Sequence, residues 1–267
     1  MIRIAINGAL GRMGRAVGRL ALESKEFSVA AALEAPGSPS LGKDYGSALG
    51  GEPLGVALAA RLDRKVDALV DFSVPEASLA RLEECVRTKS PAVVCTTGFA
   101  DGQRRTIRAA AKKIPVLLSP NMSVGVAALL KAVPDLARLL GDAYDIEIVE
   151  THHRRKRDAP SGTAVSLAER LAAATGRTWP DDFKFGRKGD SGGRGPLEIG
   201  IHAVRAGGVV GEHKVIFASD DDVIEVTHRA GSRDLFARGA LRAAAFVARA
   251  KPGLYGMEDV LTQPPRP

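Results

Sequence analysis

Cysteine is nearly absent from this sequence: only Cys85 and Cys95 occur in 267 residues. Neither stands at a metal-type spacing from a second Cys or a nearby His, which counts against a disulfide framework and a zinc site and fits a reducing cytoplasm. Aromatic residues are equally scarce, at 4%, so a nucleic-acid surface built on base stacking lacks its usual material. No uncharged run approaches the roughly 18 residues of a membrane span, and the opening MIRIAING is not a basic leader followed by a long apolar stretch. Internal repeats and low-complexity tracts are missing too. These absences lead us to expect a cytoplasmic globular protein with no metal and no membrane partner, and they count against a nucleic-acid partner without excluding one.

What is present is ordinary in amount and uneven in arrangement. Apolar residues make up 45% and charged residues 26%, enough for a sizeable core. The 38 Lys and Arg exceed the 31 Asp and Glu, for a net charge of +7. That excess favours an anionic partner without choosing among nucleic acid, a nucleotide cofactor and a small carboxylate.

Periodicity divides the chain in two. IRIAI (2–6) is a β-branched run ending at a glycine cluster, and helical spacing follows it. FSVAAALE (27–34), VDALVDFS (66–73), PAVVCTTG (91–98) and IPVLLSP (114–120) read as further strands, with helices over 76–89 and 102–113 between them. Strands that are apolar throughout and separated by helices predict a doubly wound parallel sheet. After Asn121 the pattern becomes α+β. A helical stretch, VGVAALLKAV, is interrupted at Pro134, and a half-exposed strand, DIEIVETHH, leads to a capped helix. Residues 178–196 read as loop, and 199–230 as an antiparallel meander of three strands. The Ala-rich helix of 232–250 is expected to return to the first domain.

Three places offer chemistry. GALGRMG (8–14) sits between a strand and a helix, where glycines let the backbone approach a pyrophosphate at the helix N-terminus. Glu34 ends the next strand, where a carboxylate can bind both ribose hydroxyls. CTTGF (95–99) and SPNMSVGV (119–126) follow strands at the edge where open α/β sheets bind ligands. Their small polar residues suit the nicotinamide end of a cofactor, although they equally suit helix caps. Cys95 reads as a packed residue, not a nucleophile. The third place is ETHHRRKRDAPSGTA (150–164), an unbroken row of six groups able to carry positive charge that ends at a helix start. Ser161 or Thr163 there offers hydroxyls and the N–H groups of a helix start to a carboxylate. A His or a Lys held among cations suits proton donation. Residue types alone do not say which of the six is catalytic and which face solvent.

The ordered set GALGRMG, DFS-x-PE, TTGF, N-x-SVGV, IEIVETHHRRKRDAPSGTA, VRAGGVVGEH and THRAGSRDLFARGAL resembles the 4-hydroxy-tetrahydrodipicolinate reductase (DapB) family of lysine and diaminopimelate biosynthesis, over nearly the whole chain. The resemblance implies a Rossmann-type parallel-sheet domain, residues 1–121 plus 231–267. It also implies an α+β substrate and tetramerisation domain with a mixed, largely antiparallel sheet, residues 122–230, and a homotetramer. It makes His152 the proton donor and acceptor and Lys156 the proton donor. Substrate, a small dicarboxylate, would be bound by His153, Gly162 and Thr163, beside the Ser161 already singled out. Cofactor contacts would be Gly8, Ala9, Leu10, Gly11, Arg12, Met13, Glu34, Cys95, Thr96, Thr97, Ser119, Pro120, Asn121 and Met122.

Two positions depart from the family's usual glycines, Leu10 and Cys95. Where relatives that prefer NADPH tend to carry Arg, this chain has Ala35 and Val74, so NADH is expected to be preferred and NADPH tolerated. Another nicotinamide-dependent imine or amino-acid oxidoreductase, and a basic nucleic-acid-binding module, are the competing readings.

Overall fold

The computed structural model describes residues 1–262; positions 263–267, which the expected first domain includes, lie outside the described residues. The chain begins with β1 (Ile2–Asn7), α1 (Arg12–Glu23), β2 (Phe27–Leu33), α2 (Tyr45–Ala48), β3 (Leu58–Ala59), β4 (Ala68–Asp71), α3 (Pro75–Thr88), β5 (Ala92–Val94), α4 (Asp101–Ala111) and β6 (Pro115–Leu118). It continues with α5 (Val124–Leu140), β7 (Asp145–His152), α6 (Gly162–Thr175), β8 (Phe183–Phe185), β9 (Ile199–Arg205), β10 (Glu212–Ala218) and β11 (Val223–Arg229). It closes with α7 (Asp234–Val247), β12 (Gly253–Tyr255) and α8 (Met257–Leu261). Two compact units result: Met1–Val124 joined by the segment that begins at Asp234, and Gly125–Arg233.

The first unit is built on a parallel seven-stranded sheet ordered β12-β6-β5-β4-β1-β2-β3. Its central strands are apolar on both faces, and every residue of β4 and β5 is buried, as a sheet covered on both sides requires. The chain leaves β1 toward β2 and returns to β4 on the other side of β1. That reversal of strand order falls between β1 and β4, and the carboxyl ends of strands at such a reversal are where sheets of this kind bind ligands. α7 packs against α1 and over β4, β5 and β6, burying Ala237, Ala240, Ala243 and Ala244. Small residues make this close approach possible, and Gly239 is the tightest point: a Cβ there would stand 1.7 Å from the Met122 carbonyl oxygen.

The second unit has a mixed sheet ordered β11-β10-β7-β9-β8, two of whose four pairings are antiparallel and two parallel. The expected meander is therefore not formed, because β7 lies between β9 and β10 and pairs with both. The Gly-Gly turn between β9 and β10 reports a reversal of direction but not what is inserted between its arms. The expected loop 178–196 contains β8, whose Phe183 and Phe185 both pack edge-to-face on Trp179. Helix α5 also runs through Pro134 without interruption. Proline cannot donate to the carbonyl four residues back, and the Leu130 oxygen so released accepts from Arg170 Nη1 at 3.4 Å. Leu129, Val133, Leu167 and Leu171 of α5 and α6 form one core with Ile146, Ile148, Val215 and Phe217 of the sheet.

Adding one methyl group at Gly239 forces backbone apart from backbone, so Gly239→Ala is expected to destabilise the protein by about 1–3 kcal/mol, the usual cost of overpacking. Urea unfolding read by circular dichroism checks this; an unchanged midpoint would contradict the close approach of α7 to Met122.

Candidate active site

In the first unit the turn after β1 is held from below. Leu33 O accepts from the N–H groups of Gly8 and Ala9 at 3.0 and 3.1 Å, and Gly11 N–H donates to Gly8 O at 3.0 Å. Gly8 has φ +73°, and a Cβ there would meet Phe72 O at 2.8 Å; a Cβ at Gly14 would stand 2.1 Å from Gly8 O. Only glycine allows α1 to sit this close to the turn. Gly11 caps α1 with no side-chain hydrogen bond, and no acidic residue occupies the first turn. The positive end of the helix is thus left for an anion, with the exposed Arg12 beside it. Glu34 Oε1 accepts the Leu10 N–H at 2.6 Å, so the carboxylate proposed for the ribose also fixes the loop at the position that departs from glycine. The cradle fits a dinucleotide.

The carboxyl ends of β1, β4 and β5 are tied together by Asp71, which is 1% exposed. Its Oδ1 accepts from Asn7 Nδ2 at 2.7 Å and from Ser73 Oγ at 2.6 Å. Its Oδ2 accepts from Thr96 Oγ1 at 3.1 Å and from Ser78 Oγ. Thr96 Oγ1 in turn accepts the Ser73 N–H at 3.1 Å. Thr96 is therefore buried while Thr97 is exposed. After β6, Ser119 Oγ donates to Asn121 O at 2.8 Å and Asn121 Oδ1 accepts the Ser123 N–H at 2.9 Å, leaving Pro120 exposed. The side chains of Ala9, Cys95 and Met122 are buried, so what these positions offer a ligand is backbone. Burial pushes the Cys95 thiol well above its ordinary pKa, which leaves it inert as a nucleophile.

In the second unit, the period-two alternation of β7 puts Ile146, Ile148, Glu150 and His152 on one buried face. The first two belong to the core, and the last two end the strand at the site. Across the sheet Glu150 stands opposite His213 of β10, and His152 opposite Arg205 of β9. Glu150, wholly buried, accepts four hydrogen bonds. Arg205 donates in a fork, Nη2 to Oε1 at 2.7 Å and Nη1 to Oε2 at 2.8 Å. The Ser161 N–H donates to Oε1 at 3.1 Å, and His152 Nδ1 lies 2.5 Å from Oε2. Burial opposes ionisation of Glu150, but Arg205 and His152 outweigh it and hold its pKa below the ordinary carboxylate value. Burial also lowers the pKa of His152, more than Glu150 raises it.

Ser161 then caps α6, its Oγ accepting the Ala164 N–H at 3.3 Å and lying 3.0 Å from His213 Nε2. No acidic residue occupies the first turn of α6. Gly162 is exposed, and His153 and Thr163 are half-buried. Lys156 is half-buried and paired with Asp158 at 2.9 Å, whereas Arg154, Arg155 and Arg157 are exposed. The fold thus brings His152, Ser161 and the start of α6 onto one carboxylate and turns half of the basic row to solvent. Residue types alone missed Glu150, Arg205 and His213. The signal for the first was the spacing Glu-x-His on a strand, which puts both side chains on one face. Arg205 and His213 lie at the two ends of VRAGGVVGEH. Among the described residues no group of three or more His, Cys, Asp or Glu side chains could hold a metal ion, and no helix is long and apolar enough to cross a membrane.

Residues 2–122 match the family model described as dihydrodipicolinate reductase, N-terminus, and residues 125–261 the one described as dihydrodipicolinate reductase, C-terminus. A 4-hydroxy-tetrahydrodipicolinate reductase of Rubrobacter xylanophilus is 49% identical over 265 residues, covering 99% of this chain and 100% of that protein. One from Anaeromyxobacter dehalogenans is 47% identical over 264 residues, 98% of each. Among solved structures, dipicolinate-bound dihydrodipicolinate reductase from Paenisporosarcina sp. TG-14 is similar at a TM-score of 0.76 and 25% identity, covering 97% of this chain and 99% of that one.

The buried imidazoles set an acid-side limit on stability. Burial, with repulsion from His152 added, pushes the pKa of His213 down to about 4. An unfolded histidine takes up its proton near pH 6.5, so this contribution is complete above about pH 6.5 and is lost as pH falls toward 4, by up to about 3 kcal/mol. His152 acts in the same direction. Urea midpoints of the wild type are expected to drop between pH 6.5 and 4.5, and His213→Gln to flatten part of that drop. An equal pH slope in both proteins would show that His213 is not held neutral.

Proposed function

The chain belongs to the dihydrodipicolinate reductase family, and from that premise we propose which residues carry the reduction of 4-hydroxy-tetrahydrodipicolinate to tetrahydrodipicolinate. The enzyme uses a nicotinamide cofactor and acts on a small dicarboxylate. The observation that carries the assignment is the gathering of His152, Ser161 and the start of α6 around Glu150. In this reading the N–H groups of Gly162 and Thr163, the Ser161 hydroxyl and His153 hold a carboxylate of the substrate. The dipicolinate bound to the Paenisporosarcina enzyme, a planar dicarboxylate, is in keeping with such a pocket.

Reduction of the ring, after loss of the 4-hydroxyl as water, leaves negative charge on a carbon that must be protonated. Lys156 supplies that proton as an ammonium, and its charge favours the build-up of the negative charge. His152 exchanges the proton: with a lowered pKa it is largely neutral near pH 7 and can accept as well as donate. The cofactor would be held by residues 8–13, Glu34, 95–97 and 119–122, and bound there it supplies hydride. Asp71 fixes two of these loops through Ser73 and Thr96. NADH is preferred and NADPH tolerated, because the carboxylate of Glu34 repels a 2′-phosphate while Ala35 and the exposed Val74 contribute no cation. Arg12 and Lys43, both exposed, keep that exclusion incomplete. The chain works in the cytoplasm as a homotetramer. What supports assembly is the second unit's open sheet face, on which Val204 is 42% and Val223 60% exposed.

Lys156→Ala and His152→Ala are each expected to lower turnover by about two to four decades, the worth of a positioned general acid, while cofactor affinity measured by fluorescence titration survives. Arg154→Ala and Arg157→Ala should change little. A variant of Lys156 or His152 that loses only cofactor affinity would refute its role.

Cofactor choice is checked by steady-state kinetics with NADH and NADPH at equal salt. A higher kcat/KM with NADPH would overturn the preference and point to Arg12 or Lys43 as the phosphate partner.

A further inference from the structure

We propose that the buried Glu150 and the half-buried Arg205 form a positioning pair that fixes which nitrogen of His152 exchanges protons at the site and ties that choice to the start of α6. The inference rests on the reading of His152 as a proton-exchanging group. An ionised carboxylate is an acceptor only, with about four lone-pair positions. In Glu150 all four are taken: two by the Arg205 fork, one by the Ser161 N–H and one by His152 Nδ1. Nδ1 must therefore carry hydrogen, and in the neutral imidazole Nε2 is the bare nitrogen. The other charged or titratable groups around the ring are Lys156 on the loop, Arg205 on β9 and His213 on β10, whose ring meets His152 edge-on at 5.2 Å.

The far nitrogen is kept clear by Gly211. A Cβ there would stand 3.0 Å from His152 Nε2 and 3.3 Å from Cδ2, so any side chain at 211 would crowd the one ring atom left for the site. Arg205 also donates from Nη2 to the Asp158 carbonyl oxygen at 2.6 Å, which anchors the loop carrying Lys156. A single buried anion thus sets the tautomer of His152, holds the residue that caps the substrate helix and, through Arg205, restrains the Lys156 loop. Asp158 pairs with Lys156 itself through its side chain.

The test is the tautomer, read by two-dimensional NMR of ¹⁵N-labelled histidine rings in the full-length protein at pH 8, without substrate or cofactor. The wild type is expected to show His152 with hydrogen on Nδ1; hydrogen on Nε2 overturns the proposal. In Glu150→Gln the side-chain oxygen stays with Arg205 and the amide N–H₂ faces the ring, so the hydrogen should move to Nε2. Turnover should fall by about 10²–10⁴-fold, the scale of a wrong-tautomer histidine, with cofactor affinity unchanged. An unchanged tautomer in a folded Glu150→Gln protein overturns the proposal. If that variant does not fold, Glu150→Asp decides, since it keeps the charge: it should retain hydrogen on Nδ1 and keep turnover within about tenfold of wild type. Loss of that tautomer would count against the pair. Because the NMR needs no ligand, the expected tautomer without reductase activity would sink the functional reading alone, and full activity with the other tautomer would sink this one.

Discussion

A carboxylate wholly removed from water is the constraint on which the second unit depends. Moving such an ion into a low-dielectric interior costs several kcal/mol even after relaxation, and a single cation rarely repays it without further hydrogen bonds. Glu150 meets the condition with a bidentate guanidinium, a backbone N–H and an imidazole. These four donors come from β7, β9 and the cap of α6, so satisfying one anion joins three elements. Little net stability need result. What the arrangement provides is uniqueness: a shifted register of β9 would leave a charge buried and unpaired, at about 3–5 kcal/mol, and a displaced α6 start would leave Oε1 short of one donor.

The first unit solves a similar problem with different chemistry. Asp71 is also buried, but its four donors are Asn7, Ser73, Ser78 and Thr96, all uncharged. They sit at the carboxyl ends of neighbouring parallel strands and at the start of α3, so the carboxylate clamps the loops that emerge there. None of these four donors is a titratable ring or a cation, and neutral donors suffice. At Glu150 a titratable ring is one of the donors. A guanidinium on the same carboxylate keeps the anion charged whatever the ring does, so the ring's protonation can change without the fold losing its anchor.

How much of this was legible in the sequence depends on whether the physics is local. The glycine turn was, because strand, turn and helix are each encoded within a few residues and Gly8 and Gly14 are steric necessities. So was a helix start at Ser161 or Thr163, of which Ser161 is the cap. Pro134 misled, since the rule that proline breaks a helix assumes an unsatisfied carbonyl, and Arg170, far along the chain, takes it up. The order of β9 and β10 misled for the same reason: their turn is local, and the strand between them is contributed from some fifty residues earlier. Glu150 could be placed on a face by counting in twos, but its partner Arg205 lies across the sheet, and no spacing along the chain reports that. Resemblance to a family went further than periodicity could, by proposing His152 and Lys156 from a row of similar side chains.

That row illustrates how a fold gives chemically similar residues different surroundings. His152 is the last residue of a strand, on its buried face, where burial lowers its pKa and Glu150 orients it. Lys156 comes four residues later on a loop, half-buried and held by Asp158. Arg154, Arg155 and Arg157 alternate with these toward solvent. An exposed arginine cannot be tuned as an acid, because its guanidinium stays protonated and water screens its partners. It still adds to the long-range field, and a doubly negative ring approaching α6 is drawn by every cation of the row whether or not it later touches one. Attraction can therefore be shared among residues that tolerate exposure, whereas the proton transfer proposed for His152 and Lys156 calls for groups whose surroundings are fixed by burial and hydrogen bonding.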